Sequence, residues 1–486
     1  MSAGKRIALV KIDCDRVIHP LSTIYLGDAL KRAGYDVRVF NIFEGEMEGT
    51  LDDILSMDPV FVGFSVLTGL QTKISARMSE AVKKRAPGIP VVWGGVHPSI
   101  LPEDCLKESF VDIVGMGEGE EMVVELAGAL SEKRPLDGIA GVGYKSPDGS
   151  FKINPRRAFL PDLDKYRPDW SLEKDFNRCV SVLPDGRRQV DFTASRGCPF
   201  NCAFCYNLSF NQRRWRKYSF EYVINEIKLL KERYDVRAIQ FHDDNFFVDL
   251  ERAFGILESI KKMDVISTSC MIRLDLVNED ILKRLSRLGT KRIFVGWESG
   301  SERILRLINK GLTRELIIEK FKLIAKFPEL AVTAASIIGF PTETWEDICE
   351  TIDMGVRLAA ILPNIVITYQ TFIPYPGSHL YGMARKEGFS LPKDMSGYES
   401  FDTFTGEMKL NWLPWADAGT QQLFYRIDKY GKLLTHSPGS SAVRTLGKRF
   451  FYEMARLRLR SKFFAMPFEI EVLHRFNRYY NPKCRF

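Results

Sequence analysis

The sequence predicts an α/β protein: an N-terminal doubly wound parallel sheet, a partial (β/α)6 barrel, and a helical C-terminal region. Three observations predict it. Strand-length apolar runs alternate with helix-length segments from Arg6 to about residue 130, the pattern of a parallel sheet covered on both faces. The alternation resumes near residue 190 and repeats six times before about 395. Between them Pro155, Pro161, Pro168 and Pro184-Asp-Gly186 punctuate a stretch with little periodicity, which reads as a linker. The boundaries are 1–150, 151–189, 190–395 and 396–486.

Composition narrows the class. At 486 residues the chain is long for one domain, and 45% hydrophobic with 27% charged residues is ordinary for a globular protein. No apolar run reaches the roughly eighteen residues of a spanning helix, and Lys11 interrupts the first run, against a secretory signal. Of nine cysteines three are clustered; Cys14, Cys105, Cys179, Cys270, Cys349 and Cys484 are scattered. That is no disulfide framework, and a reducing, cytoplasmic location is expected. The formal charge is +7. From Val443 onward eleven Lys/Arg face three Asp/Glu, so the basic character belongs to the tail.

In the N-terminal part, Arg6–Ile12, Tyr35–Phe40, Val60–Ser65, Val91–Trp93 and Val111–Gly115 read as strands. Leu21–Gly34, Gln71–Arg85 and a segment from Glu120 read as helices. Ligands of such sheets sit at the strands' carboxyl ends. Those ends carry Ser65, Gly94, Gly95, His97, Gly117, Glu118 and Gly119. Glycines there let backbone amides approach a phosphate or nucleotide. His97 before Pro98 reads equally well as a plain loop residue, and His19 before Pro20 reads as a loop residue rather than a ligand.

In the barrel the expected strands are Val190–Ala194, Ala238–His242, Val265–Ile272, Arg292–Gly296, Val332–Ile338 and Asn364–Phe372. The helices between them include Ser219–Arg233, Leu250–Lys262, Glu279–Leu288, Thr313–Lys326 and Thr344–Ala360. Parallel barrels do chemistry at the strands' C-terminal ends. After the first strand Cys198, Cys202 and Cys205 stand at C-x3-C-x2-C spacing in one loop. Three thiolates so close can grip three corners of a cubic [4Fe–4S] cluster, leaving one iron open. An open metal position marks catalysis, and a zinc knuckle would want a fourth Cys or His at short spacing. The later strand ends carry Asp243 and Asp244, then Arg273 and Asp275, then Glu298, then the Gly339–Glu343 turn. Each has a plainer reading. Glu298 would cap the helix from Ser301, Arg273 would pair with Asp275, and the Asp243/Asp244 pair would cap a turn.

The cysteine loop, with Phe204 before its third cysteine, resembles the radical S-adenosylmethionine (SAM) superfamily, and the resemblance extends over about residues 190–395. Pro20-Leu21, Tyr25-Leu26-Gly27, Gly63-Phe-Ser65, Gly94-Gly95-Val-His97-Pro98 and Gly117-Glu-Gly119-Glu120 make the N-terminal half similar to the cobalamin-binding domain of one large subclass, the class B methyltransferase-like enzymes. The resemblance implies a [4Fe–4S] cluster on Cys198, Cys202 and Cys205, SAM, cobalamin, and an external electron donor such as flavodoxin or ferredoxin. It implies SAM contacts from Phe204, Asp243, Asp244, Arg273, Glu298 and Gly339. It implies cobalamin contacts from Ser65, Gly94, Gly95, His97, Gly117, Glu118 and Gly119. Asp13, Asp15 and His19 do not form the Asp-x-His-x-x-Gly element that supplies an axial histidine, so none is expected. The implied reaction is C-methylation of an unactivated carbon through a 5′-deoxyadenosyl radical and methylcobalamin. Two alternatives stay open: cyclisation, rearrangement or carbon–carbon coupling without methyl transfer, and a sheet domain that binds no cobalamin.

Beyond Arg444 basic residues interleave with Phe450, Phe451, Tyr452, Phe463, Phe464, Phe468, Tyr479 and Tyr480. That fits a docked helical tail or peripheral contact with an anionic membrane, the latter implying a hydrophobic or lipid-like substrate. Nucleic acid ranks behind both, because no recognition fold is present.

Overall fold

Seven strands make the first sheet: β1 (Arg6–Asp13), β2 (Asp36–Phe43), β3 (Val62–Ser65), β4 (Val91–Gly94), β5 (Ile113–Gly115), β6 (Val142–Lys145) and β7 (Phe151–Ile153). The computed structural model describes residues 5–13, 20–146, 148–401, 412–434, 442–464 and 467–469, with 442–449 described by their backbone alone. Cys14, Asp15, His19, the expected break at Thr435–Ser441, Tyr479, Tyr480 and Cys484 lie outside the described residues. By its contacts the chain forms two units, residues 1–181 with 391–402, and 182–390 with 403–486. The expected linker is thus divided, most of it packing with the first unit.

In the first unit the strand order is β2-β1-β3-β4-β5-β6-β7, with β1 to β5 parallel. Ile7 to Asp13 of β1 are all buried, as a central strand covered on both faces requires, whereas edge strand β2 alternates exposed and buried residues through Val39. The sheet departs from the all-parallel expectation at its far edge. Strands β6 and β7 run antiparallel, joined by a hairpin in which Ser146 N–H donates to Ser150 O at 2.7 Å and Gly149 takes φ +82°. The turn signal was legible; the strands flanking it are too short to show a period. A helix at Met47–Ser56 adds to the expected helices.

The remaining strands are β8 (Ser181–Val182), which straddles the boundary of the units, and, in the second unit, β9 (Arg188–Phe192), β10 (Ser195–Arg196), β11 (Arg216–Lys217), β12 (Val236–Phe241), β13 (Ile266–Met271), β14 (Arg292–Glu298), β15 (Ala331–Ile338) and β16 (Ile365–Thr371). Its main sheet runs β16-β15-β14-β13-β12-β9-β8 and does not close on itself. The six strands β9 and β12 to β16 are parallel, the expected partial barrel. The helices between them start where sequence chemistry starts them. Ser219, Asp249, Asn278, Thr313 and Thr344 each accept a backbone N–H three residues on, satisfying a donor the helix cannot. Beyond the barrel, helix Ala418–Leu433 packs on β16, where Gly431 leaves room for the Tyr369 ring.

Candidate active site

The cysteine loop is held at both ends. Ser195 and Arg196 pair antiparallel with Lys217 and Arg216. Gly197 has φ +82°, and a Cβ there would collide with the Arg214 carbonyl, so no other residue fits. Asp243, fully buried, accepts from Ala194 N–H at 3.1 Å and from the Ser195 hydroxyl. Arg252 donates to the Ala194 and Tyr218 carbonyls, each at 2.7 Å. Farther along, Ala203 N–H donates to Ile308 O at 2.8 Å, and Leu380 N–H to Ala203 O at 3.0 Å.

Cys198, Cys202 and Cys205 are all partly exposed and none is in a disulfide. Burial pushes the Cys205 thiol up to about 12, against an N–H from Asn207, and Asp244, Cys202 and Cys198 push it further. Burial likewise raises Cys198, which also feels Asp244 and Cys202. A guanidinium, Arg273, donates to Cys202 Sγ at 3.4 Å. Three cysteines on one loop, with a cation donating to the Cys202 sulfur, suit an anionic iron–sulfur cluster.

The structure separates the two aspartates. Asp243 is committed to the start of the loop, and burial raises it to about 6. Asp244 instead faces the cysteines and accepts from Tyr206 OH at 2.8 Å. Arg273 does pair with Asp275, through two bonds of 3.0 Å, and also donates to Lys310 O at 2.7 Å. Two donors of the guanidinium are thus taken by Asp275. Glu298 is no helix cap; it forms a buried ion pair with Lys310, whose Nζ also reaches Gly296 O at 3.0 Å. Nothing local in the sequence marks Lys310. Phe204 sits 6.1 Å, ring to ring, from Phe340. Gly339, with φ +85°, accepts from Trp415 Nε1 at 3.2 Å, and Leu413 and Phe424 fill the space a side chain would need. Glu343 accepts from Gly339 N–H and Phe340 N–H, and burial raises it to about 8.

In the first unit Ser65, Gly94, Gly95 and Gly117 stand at strand ends as expected. A Cβ on Gly94 would meet nothing nearer than Phe64 O at 3.9 Å, an open cradle that suits a bulky ligand beside bare backbone. Gly95 has φ +104°, with Val66 backbone pressed against it. Gly117 N–H donates to Ser99 Oγ at 2.9 Å, and Gly119 packs on Leu26. Two residues are occupied otherwise. Glu118 accepts from Leu160 N–H at 2.7 Å. His97 is fully buried, with Nδ1 at 3.1 Å from Thr68 Oγ1, Nε2 at 3.4 Å from Met395 Sδ, and its ring edge-on to Tyr398.

A parallel half-barrel whose strand ends converge on a three-cysteine loop, preceded by a doubly wound sheet with bare glycines at its ligand edge, is the architecture of a radical enzyme with a second cofactor domain. Residues 192–355 match the radical SAM superfamily and residues 8–127 the B12 binding domain. An uncharacterized methyltransferase of Pyrococcus horikoshii is 32% identical over 390 residues, 79% of this chain and 82% of that one. The chain belongs to the cobalamin-dependent radical SAM enzymes, which use a [4Fe–4S] cluster, SAM and cobalamin. It is also similar to an anaerobic magnesium-protoporphyrin IX monomethyl ester cyclase of Rubrivivax gelatinosus, at 26% identity over 74% of this chain and 65% of the cyclase. The fold is shared with OxsB, a cobalamin-dependent SAM radical enzyme, at TM-score 0.71 and 18% identity, covering 98% of this chain and 75% of OxsB.

Proposed function

We propose that this enzyme methylates an unactivated carbon of a hydrophobic or lipid-like substrate. The observation that carries methyl transfer is the similarity, along 82% of its length, to the Pyrococcus methyltransferase. The cluster would supply the electron that splits the SAM sulfonium, and cobalamin would carry the methyl group. The chain's own residues hold and shield these groups. Cys198, Cys202 and Cys205 ligate the cluster. Asp244 would meet the SAM ammonium, a role favoured over Asp243 because Asp243 already accepts from Ala194 and Ser195. Glu298 serves the ribose, and Phe204 and the Gly339 backbone line the adenine side. Ser65, Gly94, Gly95 and Gly117 receive cobalamin with their backbone, while His97 and Glu118 hold the surrounding structure. A flavodoxin or ferredoxin is the expected electron donor.

A hydrophobic substrate is supported by the C-terminal surface. Phe450, Leu457, Phe463 and Phe468 are 53, 60, 54 and 52% exposed, in a segment rich in Arg and Lys. Among the described residues no helix is long and apolar enough to cross a membrane. Contact would therefore be peripheral, at an anionic surface. Flotation with anionic liposomes checks it, and failure to co-float ends that part of the reading.

The test of the reaction is anaerobic turnover with methyl-labelled SAM and candidate lipids or tetrapyrroles, read by product mass. Product carrying the label supports methylation. Product formed without it favours the second reading, cyclisation or coupling, for which the similarity to the cyclase speaks.

A further inference from the structure

Arg273 lies just past β13, and each part of its guanidinium is directed. Nε and Nη2 donate to the two Asp275 oxygens at 3.0 Å, Nη2 also donates to Lys310 O at 2.7 Å, and Nη1 donates to Cys202 Sγ at 3.4 Å. The Phe200 ring, from the cysteine loop itself, lies 3.7 Å from the guanidinium carbon. The side chain is only 11% exposed, so solvent screens its charge little. Asp275 binds one side of the planar group and leaves Nη1 to the sulfur. A cation held this way cannot turn to a substrate without breaking two ion-pair bonds and leaving Asp275 unpaired.

We propose that Arg273 is a positioning residue for the iron–sulfur cluster: it donates an N–H to the Cys202 sulfur and thereby eases reduction of the cluster. The inference rests on the cluster reading above. Its physical basis is that the reduced cluster carries one more negative charge, and hydrogen bonds to the sulfurs and nearby charge set such potentials. A directed cation favours the more negative state, so its loss makes reduction harder. Phe200, Asp275 and the Lys310 carbonyl act only by aiming it.

The experiment has two stages, so that the two readings fail separately. First, anaerobically reconstituted parent protein is assayed for iron, sulfide and 5′-deoxyadenosine; absence of a cluster there defeats the proposed function. Then Arg273→Gln and Arg273→Lys are reconstituted, and their cluster potentials are measured without SAM by EPR-monitored redox titration. The expected result for Arg273→Gln is a reduction equilibrium about tenfold less favourable, ~59 mV lower for a one-electron couple, with altered Fe–S stretching bands. Arg273→Lys keeps the charge but not the directed Nη1, and a smaller shift of the same sign is expected. If Arg273→Gln holds no cluster, the lysine variant carries the test alone. Potentials equal to the parent's, with weakened SAM binding, would overturn the proposal and return Arg273 to the SAM carboxylate. Folded variants that both fail to load a cluster would overturn it too, by assigning Arg273 to assembly.

Discussion

Lys310 and Glu298 form an ion pair whose side chains are only 9% and 7% exposed, at the carboxyl end of β14, where Glu298 takes φ +62°. A glutamate in left-handed backbone is uncommon and costs free energy, so the surroundings must hold it there. Lys310 does so by binding both the carboxylate and Gly296 O.

Lys310→Met is therefore expected to destabilise the protein by about 3–5 kcal/mol, because it strands a buried carboxylate. Denaturant unfolding measures the loss. Lys310→Met with Glu298→Gln should recover much of it, since the stranded charge is gone. A double variant as unstable as the single one would show that Lys310 acts through packing alone.

Gly197→Ala should displace the cysteine loop, because its Cβ collides with backbone rather than with a movable side chain. The expected outcome is a folded protein that retains far less iron than the parent after reconstitution. Circular dichroism and iron analysis together check it; normal iron retention would show that the loop can shift to accept a methyl group.

His97 sets an acid limit. Burial lowers it from 6.5 to about 3, so the folded state stays unprotonated while the unfolded chain takes up a proton. The stability this group contributes is present above pH 6.5 and is lost as pH falls toward 3. The slope approaches about 1.4 kcal/mol per pH unit. Unfolding free energies between pH 7 and 5 should fall accordingly, and His97→Gln should flatten that part of the profile.

Glu343 works in the opposite direction. Burial raises it from 4.5 to about 8. Its stabilising contribution is complete below pH 4.5 and is lost as pH rises through 8. Glu343→Gln should be close to neutral below pH 4.5 and stabilising at pH 7, since the amide oxygen can still accept from Gly339 and Phe340 without any ionisation to suppress. Relative to Glu343→Gln, Glu343→Ala leaves those two N–H groups without their acceptor and should cost about 1–3 kcal/mol. Equal stability of the two variants would contradict this.

What the sequence alone determined is what local periodicity and local chemistry encode. Leu250–Lys262 and Glu279–Leu288 are helices at the expected residues, because an apolar face, an acceptor at the cap and a glycine or basic end all lie within one segment. The cysteine triplet was equally legible, its chemistry being contained in eight residues. Tertiary structure alone decided the pairings. Asp243 turns to Ser195 while Asp244 faces the cysteines, Glu298 finds Lys310, and His97 meets Met395 from 298 residues away. A buried charge or ring needs a partner in space, and no local period says which distant residue the fold will bring.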